Sequence, residues 1–308
     1  MNNLKKIGLT ALAASLVTTS AFAGALTVSG GASLSVKNVT GTHDTGTGKG
    51  FSMGNQITFS GGGELDNGLN VSLSMVIDQA DDTLPFDAQS VTVSSDALGS
   101  FKFSGEGGSS AQGAIDGGAA GDIWNTGTSI LEIDSADSGD NSMFYTLPTL
   151  MDGVELTASM APGNGANSTH TSYAVVYTGV EGLTLKYGQG DGGAKASETT
   201  STTMHASYAI GSVTLAVANT EADNTGAVNR EVDSYQIAYT VTDDMSVSYG
   251  SETFDLEGNA VDEEVSALKV SYTTGGMTIS AATYESTGAD NVAGAKTERW
   301  NIGLAFAF

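Results

Sequence analysis

The ionisable side chains of this chain do not form the sets that catalysis usually needs. The three histidines, His43, His170 and His205, are scattered and lack the short spacing of metal ligands. There is no cysteine, which excludes a disulfide framework, a thiolate metal site and a cysteine nucleophile. No phosphate-loop lysine or serine nucleophile motif stands beside partner residues, and we interpret the adjacent pair Glu263 and Glu264 as solvated loop charge. The sequence therefore predicts a protein that is not an enzyme and needs no cofactor.

The charges are instead strongly unbalanced. The chain has 308 residues, with 35 acidic and 11 basic side chains and a formal net charge of −24. A field of this sign repels nucleic acid and concentrates cations, so we expect no nucleic-acid partner. Only 15% of the residues are charged and 40% are hydrophobic, which is too apolar for a disordered acidic chain.

Two acidic stretches have the residue types of a calcium site, because calcium prefers several carboxylate oxygens. The first contains the candidate ligands Glu132, Asp134, Asp137 and Asp140, and the second covers residues 252–264. Neither follows the spacing of the twelve-residue calcium loop, and solvated charge is the alternative for both. A structural Ca²⁺ that bridges loops, or that links them to lipopolysaccharide phosphates, is a hypothesis at this stage.

The elements that position these charges are strands. Apolar and small polar residues alternate with a period of two, for example over 69–77, 154–160 and 245–249, whereas a helix would space them at three and four. We predict sixteen strands, at 25–37, 51–63, 69–79, 87–95, 98–105, 141–147, 153–160, 171–179, 182–189, 202–210, 211–219, 232–240, 244–252, 264–273, 276–285 and 297–308. Tight turns alternate with long polar connections, which is typical of one up-and-down antiparallel barrel.

The composition of the polar strand face distinguishes a soluble sandwich from a membrane barrel. That face is mostly Ser, Thr, Gly, Gln and Asn, and the charge is expected to lie in the loops. In a soluble sandwich the apolar face points into the core. A barrel in lipid needs the inverse arrangement, with apolar side chains outward and small polar ones around a wet lumen. Nine tyrosines are expected to form the interfacial girdles, namely Tyr173, Tyr177, Tyr187, Tyr208, Tyr235, Tyr239, Tyr249, Tyr272 and Tyr284.

The N-terminal residues 1–23 have the pattern of a secretory signal peptide. A short basic start precedes the apolar segment 7–17, and Ala21-Phe22-Ala23 matches a signal-peptidase site. No apolar run after this segment approaches the roughly 20 residues of a membrane-spanning helix. We therefore expect export, with the mature barrel formed by residues 24–308.

The C-terminal residues carry the clearest motif. Trp300, Ile302, Leu304, Phe306 and Phe308 alternate with small or polar residues up to an aromatic end. This pattern resembles the last strand of Gram-negative outer-membrane barrels, whose terminal aromatic is a signal for the barrel-assembly machinery. Together with the leader, the strand count and the long connection after strand five, the chain resembles a general diffusion porin. Its glycine-rich, acidic and cysteine-free composition is most similar to the alphaproteobacterial type.

The resemblance implies that the segment after strand five folds into the barrel and narrows the pore. This segment runs from about 106 to 130, with Glu106, Asp116 and Asp122 as its acids and Trp124 as an anchor. An ordinary extracellular loop is the alternative. However, a connection of roughly 25 structureless residues is uncommon unless it is functional, and its glycines would permit close packing against the wall.

Five basic residues on the strands have the parity of the lumen face: Lys37, Lys102, Lys186, Lys269 and Arg299. A charge at the lipid midplane costs about 2–4 kcal/mol, so this orientation alone does not require a function. The resemblance favours Lys37, Lys102 and Arg299, on strands near the barrel seam, as a basic wall opposite the loop. General porins usually present an arginine cluster there, and this chain has two arginines, Arg230 and Arg299.

We therefore expect a homotrimeric outer-membrane channel for passive diffusion of ions and small hydrophilic solutes. The acidic loop and the net charge predict a preference for cations. Exposed Phe59, Phe101 and Phe103 could form subunit contacts, although lipid contact would explain them equally well. The alternatives are a solute-selective channel, for which Trp124 is the support, a secreted acidic β-solenoid or adhesin, and a barrel enzyme such as a protease or phospholipase.

Overall fold

The architecture was established with a computed structural model, which describes residues 26–41, 48–78, 87–121, 123, 136, 139–163, 168–194 and 197–308. The predicted signal peptide lies outside these residues, as do Asp122, Trp124, Glu132, Asp134 and Asp137. The described strands are β1 (Thr27–Gly41), β2 (Gly48–Glu64), β3 (Asn70–Asp78), β4 (Ala88–Ser95), β5 (Gly99–Glu106), β6 (Ser142–Thr146), β7 (Val154–Ala161), β8 (His170–Tyr177), β9 (Leu183–Ala194), β10 (Ser197–Ile210), β11 (Val213–Asn224), β12 (Arg230–Thr242), β13 (Met245–Leu256), β14 (Glu263–Thr274), β15 (Met277–Thr287) and β16 (Lys296–Ala307).

Within the described residues, these sixteen strands form one closed antiparallel barrel, which confirms the predicted fold class. Each strand pairs with its neighbours in sequence, and β1 closes the sheet by pairing with β16. The seam places Leu34 opposite Leu304 and Lys37 opposite Asn301. Closure leaves no sheet edge with unpaired backbone groups, which is the condition for a sheet to exist in lipid.

The tight turns at one end of the barrel contain glycines in the left-handed region of backbone space. Gly211 has a φ of 59°, and the consecutive glycines Gly275 and Gly276 have φ values of 53° and 80°. A side chain is disfavoured at such angles, so the glycines permit two-residue hairpins between strands that twist to the right.

The alternation of the sequence appears directly in the two faces of the barrel. Large apolar side chains on the outer face are exposed, for example Phe51 at 84% and Val217 at 57%, whereas adjacent residues such as Ala218 are buried. Eight of the nine predicted girdle tyrosines lie on this outer face. The prediction was wrong for Tyr284, because it shares the parity of Ala282 and lies on the inner face opposite Arg299.

Several strands are longer than the alternation predicted. The connections expected at 190–201 and 220–231 are largely strand, and β13 continues to Leu256 within the one expected at 253–263, because β9 to β14 extend toward the barrel mouth. Ladder hydrogen bonds join backbone groups and do not need apolar side chains, so strands extend beyond the apolar band. The apolar side chains on the outer face end before the strands do. On β11 the last one is Val217, which Asn219 follows on the same face, and on β12 Asp233 precedes Tyr235 on that face.

The charge is also distributed differently from the prediction, which placed it mainly in the loops. Strands β9 to β16 carry ten carboxylates on the outer face, above the apolar band: Asp191, Glu198, Glu221, Asp223, Glu231, Asp233, Asp255, Glu264, Glu285 and Glu298. Among them, Glu231 and Asp233 both accept hydrogen bonds from the Asn219 amide, at 2.6 and 3.0 Å. A large part of the negative charge therefore faces away from the lumen.

In the part of the chain that the structure describes, no helix is both long enough and apolar enough to span a membrane.

Candidate functional site: the lumen loop and the facing wall

The segment after β5 follows the inner wall of the barrel. Its start contacts β7 and β8, where the Ala111 amide donates a hydrogen bond to Ser159 Oγ at 2.9 Å. Ala111 and Ile115 are buried and pack against Ala174 of β8. The neighbour of Ala174 on the same strand, Tyr173, is exposed on the outer face, so these contacts are on the inner side.

The far end of the segment reaches strands on the other side of the lumen. The Ala119 amide donates to Ser234 Oγ of β12 at 2.6 Å, and Lys269 Nζ of β14 donates to the Ala120 carbonyl oxygen at 2.7 Å. Ile123 is fully buried in an apolar cluster with Val232, Phe254, Val265 and Ala267. The described part of the loop thus runs along the inner wall from β7 to β14.

Close approach of this segment to the wall depends on a glycine, Gly250, in β13. A Cβ atom on Gly250 would lie 2.5 Å from the Cβ of Ala120 and 2.9 Å from the Tyr235 carbonyl oxygen. Real Cβ atoms do not approach so closely, so any larger residue at this position would displace the loop or the neighbouring strand.

The two predicted loop acids that the structure describes are both half-buried. Glu106 ends β5 opposite Gln89, and Asp116 lies within the segment. Sequence reasoning missed a wall carboxylate, Glu252 of β13, which is 2% exposed on the inner face and lies against Gly118. The parity that Glu252 shares with Gly250 and Phe254 is a usable signal in the sequence, where this residue begins the acidic stretch 252–264.

The structure separates the five basic wall residues into two groups. Lys269 is part-buried and bonded to the loop, whereas Lys37 of β1 is exposed on the inner face, three strands away in the same cross-strand row. Neighbouring strands are about 4.8 Å apart, so the two lysines are separated by roughly 14 Å along the wall.

The other predicted wall cations also lie on inner faces. Lys102 of β5 is two strands from Ser159 in one row, and Lys186 of β9 is directly opposite His205 of β10. The Arg299 guanidinium carbon is 5.5 Å from the ring centroid of Tyr284, a cation–π geometry that holds the side chain against the wall.

The interpretation of the Glu263–Glu264 pair as solvated charge is wrong for Glu263. The two residues point to opposite faces of β14, and Glu263 is completely buried. Its carboxylate accepts a hydrogen bond from Ser286 Oγ at 2.8 Å and one from the Asp290 amide at 3.2 Å. It therefore ties β14 to the β15–β16 connection at the barrel mouth.

The proposed calcium ligands are only partly within the described residues. Asp140 is exposed just before β6, and the other three candidates lie outside the described residues. Among the described residues there is no group of three or more histidine, cysteine or acidic side chains placed to hold a metal ion.

The predicted assembly motif forms the outer face of β16. Trp300, Ile302, Phe306 and Phe308 are between 37% and 77% exposed there. Phe308 exchanges two backbone hydrogen bonds with Gly30 of β1, at 2.7 and 3.0 Å. The terminal aromatic residue therefore lies at the seam where the sheet closes.

Comparison with known proteins identifies the class. The sequence model of the Gram-negative porin family matches residues 8–308, so the chain belongs to the Gram-negative porins. No curated protein matches the sequence. The family and the closed barrel indicate a channel of the outer membrane.

Solved structures show the same fold at low sequence identity. An anion-selective porin from Comamonas acidovorans is 14% identical with a TM-score of 0.68, and the alignment covers 92% of this chain and 99% of that one. A trimer form of OmpT, an outer-membrane protein of Vibrio cholerae, is 15% identical with a TM-score of 0.72 and coverages of 92% and 99%. A mutant of the Rh. blastica porin is 14% identical with a TM-score of 0.66, over 92% and 100% of the two chains.

Proposed function

We propose that this porin is a water-filled channel for passive diffusion of ions and small hydrophilic solutes, and that it performs no covalent chemistry. The observation that carries the proposal is the loop that lies inside a closed barrel, against its inner wall. The described segment 107–121 lies against the inner wall from β6 to β14, and we take the polar inner faces of β16 and β1 to β5 to line the open part of the lumen. Permeation then depends on pore width and on charge at the narrowest level.

We propose a modest cation preference. The net charge of −24 and the loop acids Glu106 and Asp116 favour cations. The open wall opposes them with Lys37, Lys102 and Arg299, and ten strand carboxylates face outward, where solvent and salt screen them. We therefore expect a cation-to-anion permeability ratio of about 2–3 at low salt, which falls as salt rises.

The experiment is single-channel recording of the refolded protein in planar bilayers under a salt gradient. Stepwise ohmic conductance with a reversal potential that favours cations would support both parts of the proposal. Sealed bilayers with heat-modifiable, folded protein would contradict the channel, and an anion-favouring reversal potential would contradict the selectivity alone. A saturable current block by one sugar class would support the alternative of a solute-selective channel.

Further parts of this assignment are proposals that rest on the family or on sequence. We propose a homotrimer, as in the trimer form of OmpT, and export through the signal peptide at residues 1–23. Recognition of the Trp300–Phe308 strand by the barrel-assembly machinery is proposed on the resemblance. Lipopolysaccharide contact and a structural Ca²⁺ near Asp140 also stay proposals. The closed barrel does not favour a β-solenoid.

A further inference from the structure

Gln112 is a polar side chain with no access to solvent inside a lumen that is expected to be wet. It is 0% exposed, and it lies on the loop where the loop meets β8, β9 and β10. A buried amide is costly unless its polar atoms have partners, so the contacts of this side chain indicate what it is for.

The contacts of Gln112 join three separate parts of the chain. Its backbone amide donates to Ser172 Oγ of β8 at 2.7 Å, and its side-chain Nε2 donates to Thr203 Oγ1 of β10 at 2.9 Å. Its Oε1 accepts a hydrogen bond from the amide of Ala136, on the returning part of the loop, at 2.8 Å. Ser172 and Thr203 are themselves buried, and Thr203 shares a further hydrogen bond with Thr220 of β11.

The part of β9 that lies beneath Gln112 consists of glycine on its inner face. Gly188 and Gly190 are the inward positions of β9 at this level. A Cβ on Gly188 would lie 3.2 Å from the Gln112 Cα and 2.9 Å from Ile115 Cδ1, and a Cβ on Gly190 would lie 2.6 Å from the Ala136 Cβ. The two glycines therefore form a shallow track that lets both parts of the loop lie against the sheet.

We infer that Gln112 is a positioning residue of the channel. It fixes the outgoing part of the loop and Ala136 to the same place on the wall, and thereby sets how far the loop projects into the lumen. This inference rests on the proposed channel function. A leucine would fill the same volume but would leave the Ala136 amide without its acceptor and the Thr203 hydroxyl with Thr220 as its remaining partner. Loss of two side-chain hydrogen bonds should raise the population of displaced loop about tenfold.

The test compares Gln112→Leu with Gln189→Leu. Gln189 is a matched control, because it lies on the outer face of β9 and also makes two side-chain hydrogen bonds, with Tyr173 and Thr202. We expect Gln112→Leu to change the single-channel conductance and to raise the open-channel current noise about tenfold, whereas Gln189→Leu should match the wild type. Folded Gln112→Leu protein with wild-type conductance and noise would overturn the inference.

A second variant gives a signature that a merely structural role would not produce. In Gln112→Glu, the neutral carboxyl can accept from Ala136 and donate to Thr203. The carboxylate is instead a buried negative charge that cannot donate, and the Thr203 hydroxyl can bond to it only by giving up donation to Thr220. The excess noise of Gln112→Glu should therefore fall toward the wild-type value between about pH 8 and about pH 4, with wild type as the pH control. Excess noise that is independent of pH would contradict the proposed attachment of the loop through Gln112.

Two further measurements cover the remaining outcomes. If Gln112→Leu does not fold, Thr203→Val and Ser172→Ala each remove one contact, and unchanged noise in both would overturn the inference. If the wild type does not conduct at all, the channel proposal fails by itself. The attachment of the loop through Gln112 is then tested by hydrogen exchange at the Ala136 amide, which should be faster in Gln112→Leu than in Gln189→Leu. Equal exchange would reject it.

Discussion

Lys269 Nζ donates a hydrogen bond to the carbonyl oxygen of Ala120 at 2.7 Å, which joins β14 to a loop residue 149 positions earlier in the chain. The bond connects two features that the sequence suggested separately, a basic wall and an infolded loop. It also gives Lys269 a role unlike that of Lys37, whose side chain is exposed on the inner face.

Removal of this contact should weaken the attachment of the loop. Because a hydrogen bond from a charged donor contributes about 1.5–3 kcal/mol, we expect Lys269→Met to lower the free energy of unfolding in detergent by about that amount. Lys186→Met, also a lumen lysine on a strand, should change it by less than about 0.5 kcal/mol. Denaturant titration of both variants measures the difference, and equal losses would show that the Ala120 contact is not stabilising.

Substitution of Gly250 should affect the loop through steric exclusion. Gly250→Ala places a methyl group 2.5 Å from the Ala120 Cβ, so we expect a loss of about 1–3 kcal/mol in stability and an altered conductance. Gly61→Ala is the control, since its added Cβ would meet Leu26 Cδ1 at an ordinary 3.7 Å. Planar-bilayer recording and thermal unfolding compare the two. Wild-type behaviour of Gly250→Ala would mean that the loop does not rest against β13.

The carboxylates of Glu263 and Glu264 should differ in importance although they are adjacent. Glu263→Ala leaves Ser286 Oγ and the Asp290 amide without their buried acceptor, and we expect it to destabilise the barrel by about 1–3 kcal/mol. Glu264→Ala removes an exposed outer-face carboxylate and should cost less than about 1 kcal/mol. Thermal unfolding in detergent micelles measures both. A larger loss for Glu264→Ala would contradict the assigned faces of β14.

Reversal of charge on the open lumen wall should change ion selectivity. Lys102→Glu places a negative charge on the inner face of β5, and we expect the cation-to-anion permeability ratio to rise about twofold. Lys49→Glu makes the same change on the outer face of β2 and should leave the ratio unchanged, because salt screens charges beyond about 10 Å. Reversal potentials in a salt gradient test both variants. An equal shift would indicate that total charge, rather than lumen charge, sets selectivity.

The sequence predicted the strands and their order well, because side-chain alternation is a local property of each strand. It was less informative where alternation no longer distinguishes the two faces. At the upper ends of β11 and β12 the outer face is acidic while the inner face carries Ala222 and Val232, so the apolar face no longer points outward, and Glu221 and Glu231 fall in the connection predicted at 220–231. Tyr284 does not belong to the predicted girdle, because it shares the inner-face parity of Ala282 rather than the outer-face parity of Ile279.

The sequence by itself determined that this protein is a closed β-barrel with apolar residues outward. Alternation with a period of two identifies the strands, and the small polar residues on their other face are those that line a wet lumen. Only the tertiary structure showed which inner residues hold the loop. Ser159, Ser172, Ser234 and Gly250 resemble any other small lumen residue in sequence, and they become loop contacts only because closure brings β7 to β14 around one interior. Contacts between residues more than 40 positions apart depend on strand register and barrel curvature, which no local pattern specifies.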